Sequence, residues 1–287
     1  MQQKGWSIFF GAILLGAFLL FAVAPFVGWW LPANVSTFGP DVDRLFYIIL
    51  GFTGFFFVLT GAILVYAMYR FAWRANTKSH YVEGNHRLEI AWTVVPAIIL
   101  LFIAVSQIST WDTIKYYASM PNPDLVMQVT ARQWDWSMRY ADKPQPDNAR
   151  AWAEVPAIDD IYLPSELHCW KGANVRIFLK TQDVLHSFFS PQLRLKQDAL
   201  PGKTIPVWFN ATDANTSYNA KTGKWDIDKN KRWEIACAEL CGGGHYRMQG
   251  MIYVHENKED YLKWLDGAKE AARSRQPEKK PPAVAKN

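Results

Sequence analysis

Cysteine is scarce, with three in 287 residues. None stands in a Cys-x-x-Cys-His arrangement, so no c-type haem is attached to this chain. A phosphate-cradling P-loop, a dinucleotide fingerprint and a Ser/His/Asp set are all absent, which sets aside nucleotide-driven chemistry and triad hydrolysis. No internal repeat is present. The formal net charge is only +5, and most of it sits in the last residues, so it is not the basic footprint of a nucleic-acid surface. The apolar first third also lacks a set of intramembrane histidines that could hold a haem.

What is present is concentrated near the C-terminus, in Cys237-Ala-Glu239-Leu-Cys241-Gly-Gly-Gly-His245-Tyr-Arg-Met248. Two thiols, an imidazole and a thioether share one short loop. Thiolate and imidazole select copper, zinc or iron–sulfur clusters, and a Cys/His set with a weak thioether is the pattern of cupredoxin copper. A mononuclear blue-copper site needs a single Cys. Two Cys separated by three residues can bridge two copper ions through both sulfurs, so that little geometry changes on electron transfer. One His per copper is then required, and Asp183-Val-Leu-His186-Ser-Phe offers the second. A Cys237–Cys241 disulfide would suit an oxidising compartment, but it leaves the His and Met spacing unexplained. A structural zinc site wants a second close Cys or His pair, which is missing. Cys169 has no ligand spacing and reads as a buried free thiol; His168 and His255 read as structural.

Residues 6–30, 45–69 and 90–111 contain no charged side chain. Each is long enough for a membrane span, which takes about 20 predominantly apolar residues. Pro96 falls near the start of the third, where an early-turn proline is tolerated. Arg70, Arg74, Lys78 and Arg87 lie between the second and third spans, whereas residues 31–40 carry no charge. Positive charge stays on the cytoplasmic side, so the N-terminus with Lys4 is expected inside and everything after residue 111 outside. Ala22-Val-Ala24 resembles a signal-peptide cleavage site. Pro25 directly after the cut, and an apolar run continuing to Trp30, favour a retained helix.

Beyond residue 111 short apolar runs alternate with turn residues. Strands are expected at 125–130, 134–140, 175–179, 207–210, 232–236 and 250–255, with turns at Pro201-Gly202, Lys171-Gly172 and Gly242–Gly244. The fold class expected is a membrane-anchored all-β protein: transmembrane helices followed by a β-barrel or sandwich. The terminal residues 261–270 read as a short helix. The Lys/Pro-rich end has little to bury and reads as disordered. The expected divisions are 1–40 (an N-terminal span and outer loop), 41–118 (a helical hairpin), 119–270 (the metal domain) and 271–287 (the basic tail).

Four segments together make the chain resemble subunit II of the haem–copper cytochrome c oxidases, over residues 41–264. They are Glu89-Ile-Ala-Trp92-Thr-Val-Val-Pro96; Gln133-Trp134-Asp-Trp136-Ser-Met-Arg-Tyr140; Asp183-Val-Leu-His186-Ser-Phe-Phe continuing to Lys196-Gln-Asp198-Ala-Leu-Pro201-Gly202; and the metal loop. The resemblance implies a cupredoxin-like Greek-key domain and a dinuclear copper A centre. His186, Cys237, Cys241, His245 and Met248 match its ligands, and Glu239 matches the residue that lends a backbone carbonyl. It further implies that the Glu239 carboxylate reaches a magnesium or manganese ion shared with subunit I, a pairing that suits a hard cation. Trp134 matches an exposed tryptophan through which cytochrome c passes its electron, although alternation with Trp136 and Tyr140 is also what a well-packed strand shows. Glu89 matches a carboxylate at the mouth of a proton path, and a helix N-terminus favours an acidic group in any case.

The implied partners are subunit I, subunit III, a c-type cytochrome donor and membrane lipid, with no nucleic acid. The implied location is a prokaryotic plasma membrane with the copper domain on the periplasmic face. The implied function is electron entry into a proton-pumping oxidase that reduces oxygen in subunit I. An additional N-terminal span and a polar insertion at 211–231 depart from the family pattern. The alternatives are the small subunit of a copper A-type nitric oxide reductase and, from another class, a membrane-tethered copper-delivery or storage protein. A quinol oxidase subunit lacks the copper ligands, and nitrous oxide reductase carries its similar loop on a soluble chain.

Overall fold

The computed structural model describes residues 2–75, 78, 80–141 and 160–275. They fall into two compact units, a helical one within Met1–Pro32 and Asp41–Asp112 and a β-rich one within Ala33–Pro40 and Thr113–Asn287.

The helical unit contains α1 (Gln2–Val23), all but the first two residues of α2 (Gly39–Arg70), α3 (His86–Ser106) and the first five residues of α4 (Ile108–Lys115). Three stretches, Lys4–Val27, Gly39–Arg70 and His86–Lys115, are long and apolar enough to cross a membrane. Their apolar side chains are exposed all round, the signature of helices whose surroundings are not water. At the end of α1 a 3-10 turn, Ala24–Val27, is closed by Gly28 in the left-handed region at φ 75°. The start of α3 corrects the expectation for Pro96. Asn85 caps the helix, accepting from the N–H groups of Arg87 and Leu88 at 3.1 and 3.3 Å, so the helix begins well before residue 90. Pro96 therefore lies inside it.

The β-rich unit stacks two sheets. The first orders β3 (Ile161–Pro164), β2 (Asp135–Tyr140), β1 (Leu125–Arg132), β5 (Asn174–Thr181) and β8 (Ile205–Asn210). The second orders β10 (Lys224–Ile227), β9 (Thr216–Asn219), β12 (Gln249–His255), β11 (Trp233–Cys237), β6 (His186–Ser190) and β7 (Leu195–Ala199), with β4 (Glu166–Trp170) also on β12. The β1–β5 and β12–β4 pairs are parallel. β1 is buried along nearly its whole length, as a central strand covered on both faces must be. Met127, Val129, Trp136, Met138, Ile177, Phe188, Phe209 and Ile252 fill the space between the sheets.

Several elements differ from their sequence reading. Residue 134 is not in a strand: it occupies the turn between β1 and β2, and its indole is half-buried. The insertion at 211–231 is not simply a lengthened loop, because it folds into the β9–β10 hairpin in register Tyr218↔Trp225. Strands β3, β4, β6 and β7 are not announced by the sequence: β3 is only four residues long and ends in Pro164, and the polar and histidine content of β4, β6 and β7 hides their alternation. Residues 33–40, grouped by sequence with the first span, are bonded into the β-rich unit: Val35 donates to the Gln192 carbonyl and accepts from Thr212, both at 2.9 Å. The terminal helix α5 runs Lys258–Arg275, past residue 270. The rest of the basic tail lies outside the described residues.

Helix α5 covers an aromatic patch. Its Tyr261, Trp264 and Leu265 fall on one face, with Tyr261 and Leu265 buried. The Trp264 ring stacks on His168 at 3.8 Å. His168 Nδ1 lies 3.2 Å from His255 Nε2, and burial lowers the pKa of both. Beside them the Tyr140 hydroxyl donates to the Glu166 carbonyl at 3.0 Å and accepts the His168 N–H at 2.7 Å. The histidine reading as structural residues fits this packing. Cys169 is buried and its thiol pKa is pushed up by burial, which leaves it inert at neutral pH.

Candidate metal centre

Strand pairing builds the site. β6 and β11 run antiparallel with Cys237 opposite Phe188, which sets His186, the first residue of β6, beside the end of β11. The Ala238 N–H donates to the Ser187 carbonyl at 3.0 Å, and the Cys237 N–H to the Met248 carbonyl at 3.1 Å. The second bond closes the base of the loop that leaves β11 and re-enters as β12. A 3-10 turn over His245–Arg247 then brings His245 and Met248 back toward Cys241.

The donors form two matched halves. Cys237 Sγ lies 3.8 Å from His186 Nδ1 and 3.2 Å from the Glu239 carbonyl oxygen. Cys241 Sγ lies 3.5 Å from His245 Nδ1 and 3.9 Å from Met248 Sδ. The two sulfurs are 3.8 Å apart and both thiols are free, too distant for a disulfide, whose S–S length is about 2.05 Å. The ligand atoms of His186, Cys237 and Cys241 lie within 4.8 Å of one another, the one such group among the described residues. His186, Cys241 and Met248 are buried, so the cluster is shielded from water along one side.

The charges are consistent with a metal that displaces protons. Burial, together with the neighbouring Cys237, pushes the Cys241 thiol up to about 12. Without a metal that sulfur keeps its proton at neutral pH; a soft cation replaces it, since ligating thiols must be thiolates. Asp183 holds His186. Its Oδ1 is 2.8 Å from His186 Nε2, which assigns the ring proton to Nε2 and turns the Nδ1 lone pair toward Cys237. Desolvation pushes the Asp183 carboxyl up, but the Gln133 N–H, His186 and the Val184 N–H outweigh it and hold the group below the usual carboxylate range.

Trp134 joins the site from the β1–β2 turn. Its indole N–H and the Gln133 side-chain amide both donate to the Cys241 carbonyl, at 3.1 and 2.8 Å. The Gln133 backbone N–H donates to Asp183 at 2.7 Å, so one carboxylate ties the tryptophan turn to His186. The ring lies flat on Gly244, where any Cβ would collide with it, and a Cβ at Gly242 would come within 3.0 Å of Gln133 Nε2. The Arg247 guanidinium stands 5.7 Å over the ring, a cation–π distance. Trp136, by contrast, is fully buried and meets His186 edge-on at 6.3 Å.

Sequence reasoning missed Asp183, Gln133 and Arg247, and it read the glycine run only as a turn. The Asp-x-x-His spacing was a usable signal for Asp183, because a metal-bound histidine usually gives its other N–H to a carboxylate. Glu239 turns its carbonyl to Cys237, and among the described residues no metal-sized group gathers around its carboxylate. Glu89 belongs to the helical unit. It sits in the first turn of α3, where its Oε2 lies 3.5 Å from His86 Nδ1.

Two family profiles match the chain: "Cytochrome C oxidase subunit II, transmembrane domain" over residues 18–109 and "Cytochrome C oxidase subunit II, periplasmic domain" over residues 125–254. The alternative cytochrome c oxidase subunit 2 of Bradyrhizobium diazoefficiens is 26% identical over 274 residues, covering 90% of this chain and 89% of that one. The cytochrome c oxidase subunit 2 of Thermostichus vulcanus is 29% identical over 288 residues, covering 82% and 77%. Among solved structures, the periplasmic domain of subunit II of the Bradyrhizobium japonicum cytochrome oxidase is 26% identical, covers 53% of this chain and 97% of its own, and superposes with a TM-score of 0.39.

Proposed function

The chain belongs to the cytochrome c oxidase subunit II family, and from that premise we propose how its residues carry electrons into the oxidase. It is a membrane-anchored subunit with a periplasmic domain, and it is the electron-entry subunit of an oxidoreductase. Oxygen reduction belongs to the partner haem–copper subunit. The names of the relatives do not favour the nitric oxide reductase alternative.

The donor set fits copper. Soft sulfur with imidazole and a thioether is its ligand chemistry, and the six donors lie in two equivalent halves. Cys237 and Cys241 would bridge two copper ions, His186 and His245 would each hold one end, and Met248 and the Glu239 carbonyl would sit as weak ligands. Copper supplies a one-electron redox couple when bound there. The chain does the rest. Asp183 fixes the His186 ring in one tautomer, so that loading requires no rotation. Trp136 and Phe188 exclude water from one side. Trp134, bonded to the Cys241 carbonyl, offers a route from the domain surface to the sulfur, which supports it as the entry point for the cytochrome c electron.

The finer reading has Glu239 share magnesium or manganese with subunit I, and Glu89 stand at the entrance of a proton path. Subunit III and membrane lipid complete the partners, and the setting is a prokaryotic plasma membrane. The observation that carries the proposal is that each of two sulfurs 3.8 Å apart has its own imidazole nitrogen. The test is copper content and electron paramagnetic resonance of the purified complex. Two coppers beyond the one that the haem–copper subunit itself holds, with hyperfine structure from an electron shared equally by two nuclei, is the expected result. A single copper beyond that one, with single-nucleus hyperfine structure, would reject the dinuclear assignment.

A further inference from the structure

The helical unit carries a groove unrelated to the copper loop. It has a volume of about 470 Å³ and runs along the seam of α1 and α2, from Ser7 to Phe18 on one side and from Tyr69 to Phe57 on the other. The floor is where the helices come closest. A Cβ at Gly11 would lie 3.2 Å from Val65, and one at Gly61 would lie 3.3 Å from Leu14.

The lining is polar at one end only. Ser7, Tyr66 and Tyr69 cluster there, and the Ser7 hydroxyl is already donated to the Lys4 carbonyl at 2.8 Å. At the same end the Lys4 ammonium is held 4.8 Å over the Tyr69 ring, and Arg70 follows in sequence. Neither α1 nor residues 57–70 contain a carboxylate. The mouth is therefore cationic and the body apolar.

Length separates the possible occupants. At 1.5 Å per residue the lined stretch of α2 runs about 18 Å, a little over half of the roughly 30 Å hydrocarbon core. A partner helix crosses the whole core, whereas an acyl chain from one leaflet stops near the middle. The basic loop residues place the Lys4–Arg70 end at the cytoplasmic surface, the leaflet in which anionic lipids attract basic residues.

We propose that this groove binds one acyl chain of an anionic phospholipid of the inner leaflet, with its phosphate between Lys4 and Arg70. The proposal requires that α1 and α2 cross the bilayer and is independent of the copper chemistry. Phosphatidylglycerol and phosphatidylcholine, each with a photoreactive group near the acyl terminus, would be supplied separately to the full-length chain in its purified complex. Labelled peptides would then be mapped by mass spectrometry.

Label is expected around residues 14–18 and 57–61, with phosphatidylglycerol favoured by about fivefold for each basic residue engaged. Lys4→Gln with Arg70→Gln should erase that preference while the groove still takes either lipid. Gly61→Leu should block both by filling the floor. Equal labelling by the two lipids in the unaltered protein would overturn the proposal, as would a preference that survives the loss of Lys4 and Arg70. Absence of label from either lipid around residues 14–18 and 57–61, with label found elsewhere in the complex, would also reject it.

Discussion

The buried His168–His255 pair makes acid the sharpest perturbation of the β-rich unit. His255 is fully buried. Burial first, and then the neighbouring His168, lowers its pKa from 6.5 to about 3. Around it stand His168, with Glu166 and Tyr253 beyond; Trp225 of the hairpin; and Tyr261 and Trp264 of α5. A base whose folded pKa is depressed destabilises the fold wherever the unfolded chain binds a proton that the folded one refuses. The stability contribution is therefore intact above about pH 6.5 and falls as the pH drops toward 3. Between about pH 7.5 and pH 5 the loss works out at about 2 kcal/mol for this one group. His168 is shifted in the same direction and adds to the slope.

Hydrogen exchange on the full-length chain in detergent measures this directly, because β4, β12 and α5 enclose the pair. After correction for intrinsic rates, opening of those amides should become about 30-fold more frequent over that interval. Amides in β1 and β5 should change less. His255→Gln, which cannot take up the proton, should remove most of the slope. Exchange around β12 that stays flat down to pH 5 would refute the reasoning.

Three further outcomes follow from the site. Gly244→Ala should slow electron entry from cytochrome c about as much as Trp134→Phe, with unchanged copper content, because a Cβ at 244 occupies the indole's place; an unchanged rate in stopped-flow reduction would count against the role of the Trp134–Gly244 contact. Asp183→Asn should weaken copper retention against a chelator by about 10- to 100-fold, since the His186 ring loses its carboxylate. Glu89→Gln should slow proton uptake during rapid turnover while leaving the copper spectrum intact, and unaltered uptake would return Glu89 to the role of helix-end acid.

The features legible in sequence were those encoded by local pattern. Uncharged runs announced the three spans, because hydrocarbon tolerates no unpaired charge. Strands such as β1 and β12 announced themselves by apolar runs between turn residues. The hairpin at 216–227 did not, because its strands are short and polar and are held by pairing with each other and by Trp225 packing against His255. Hydropathy puts Pro96 near a helix start, whereas α3 is extended at its start by the Asn85 cap, a polar interaction that hydropathy does not register.

Sequence alone determined the chemistry available: two thiols, two imidazoles and a thioether, at spacings that one loop and one strand can bring together. Only the tertiary structure decided how they pair, because the β6–β11 register chooses which sulfur faces His186 and the 3-10 turn chooses which faces His245. It also decided that Trp134 lies in a turn, flat on Gly244 and bonded to the Cys241 carbonyl, with its turn anchored to Asp183. Those contacts join residues about fifty and more than a hundred positions apart, a separation across which hydropathy and spacing carry no information and packing decides the partner.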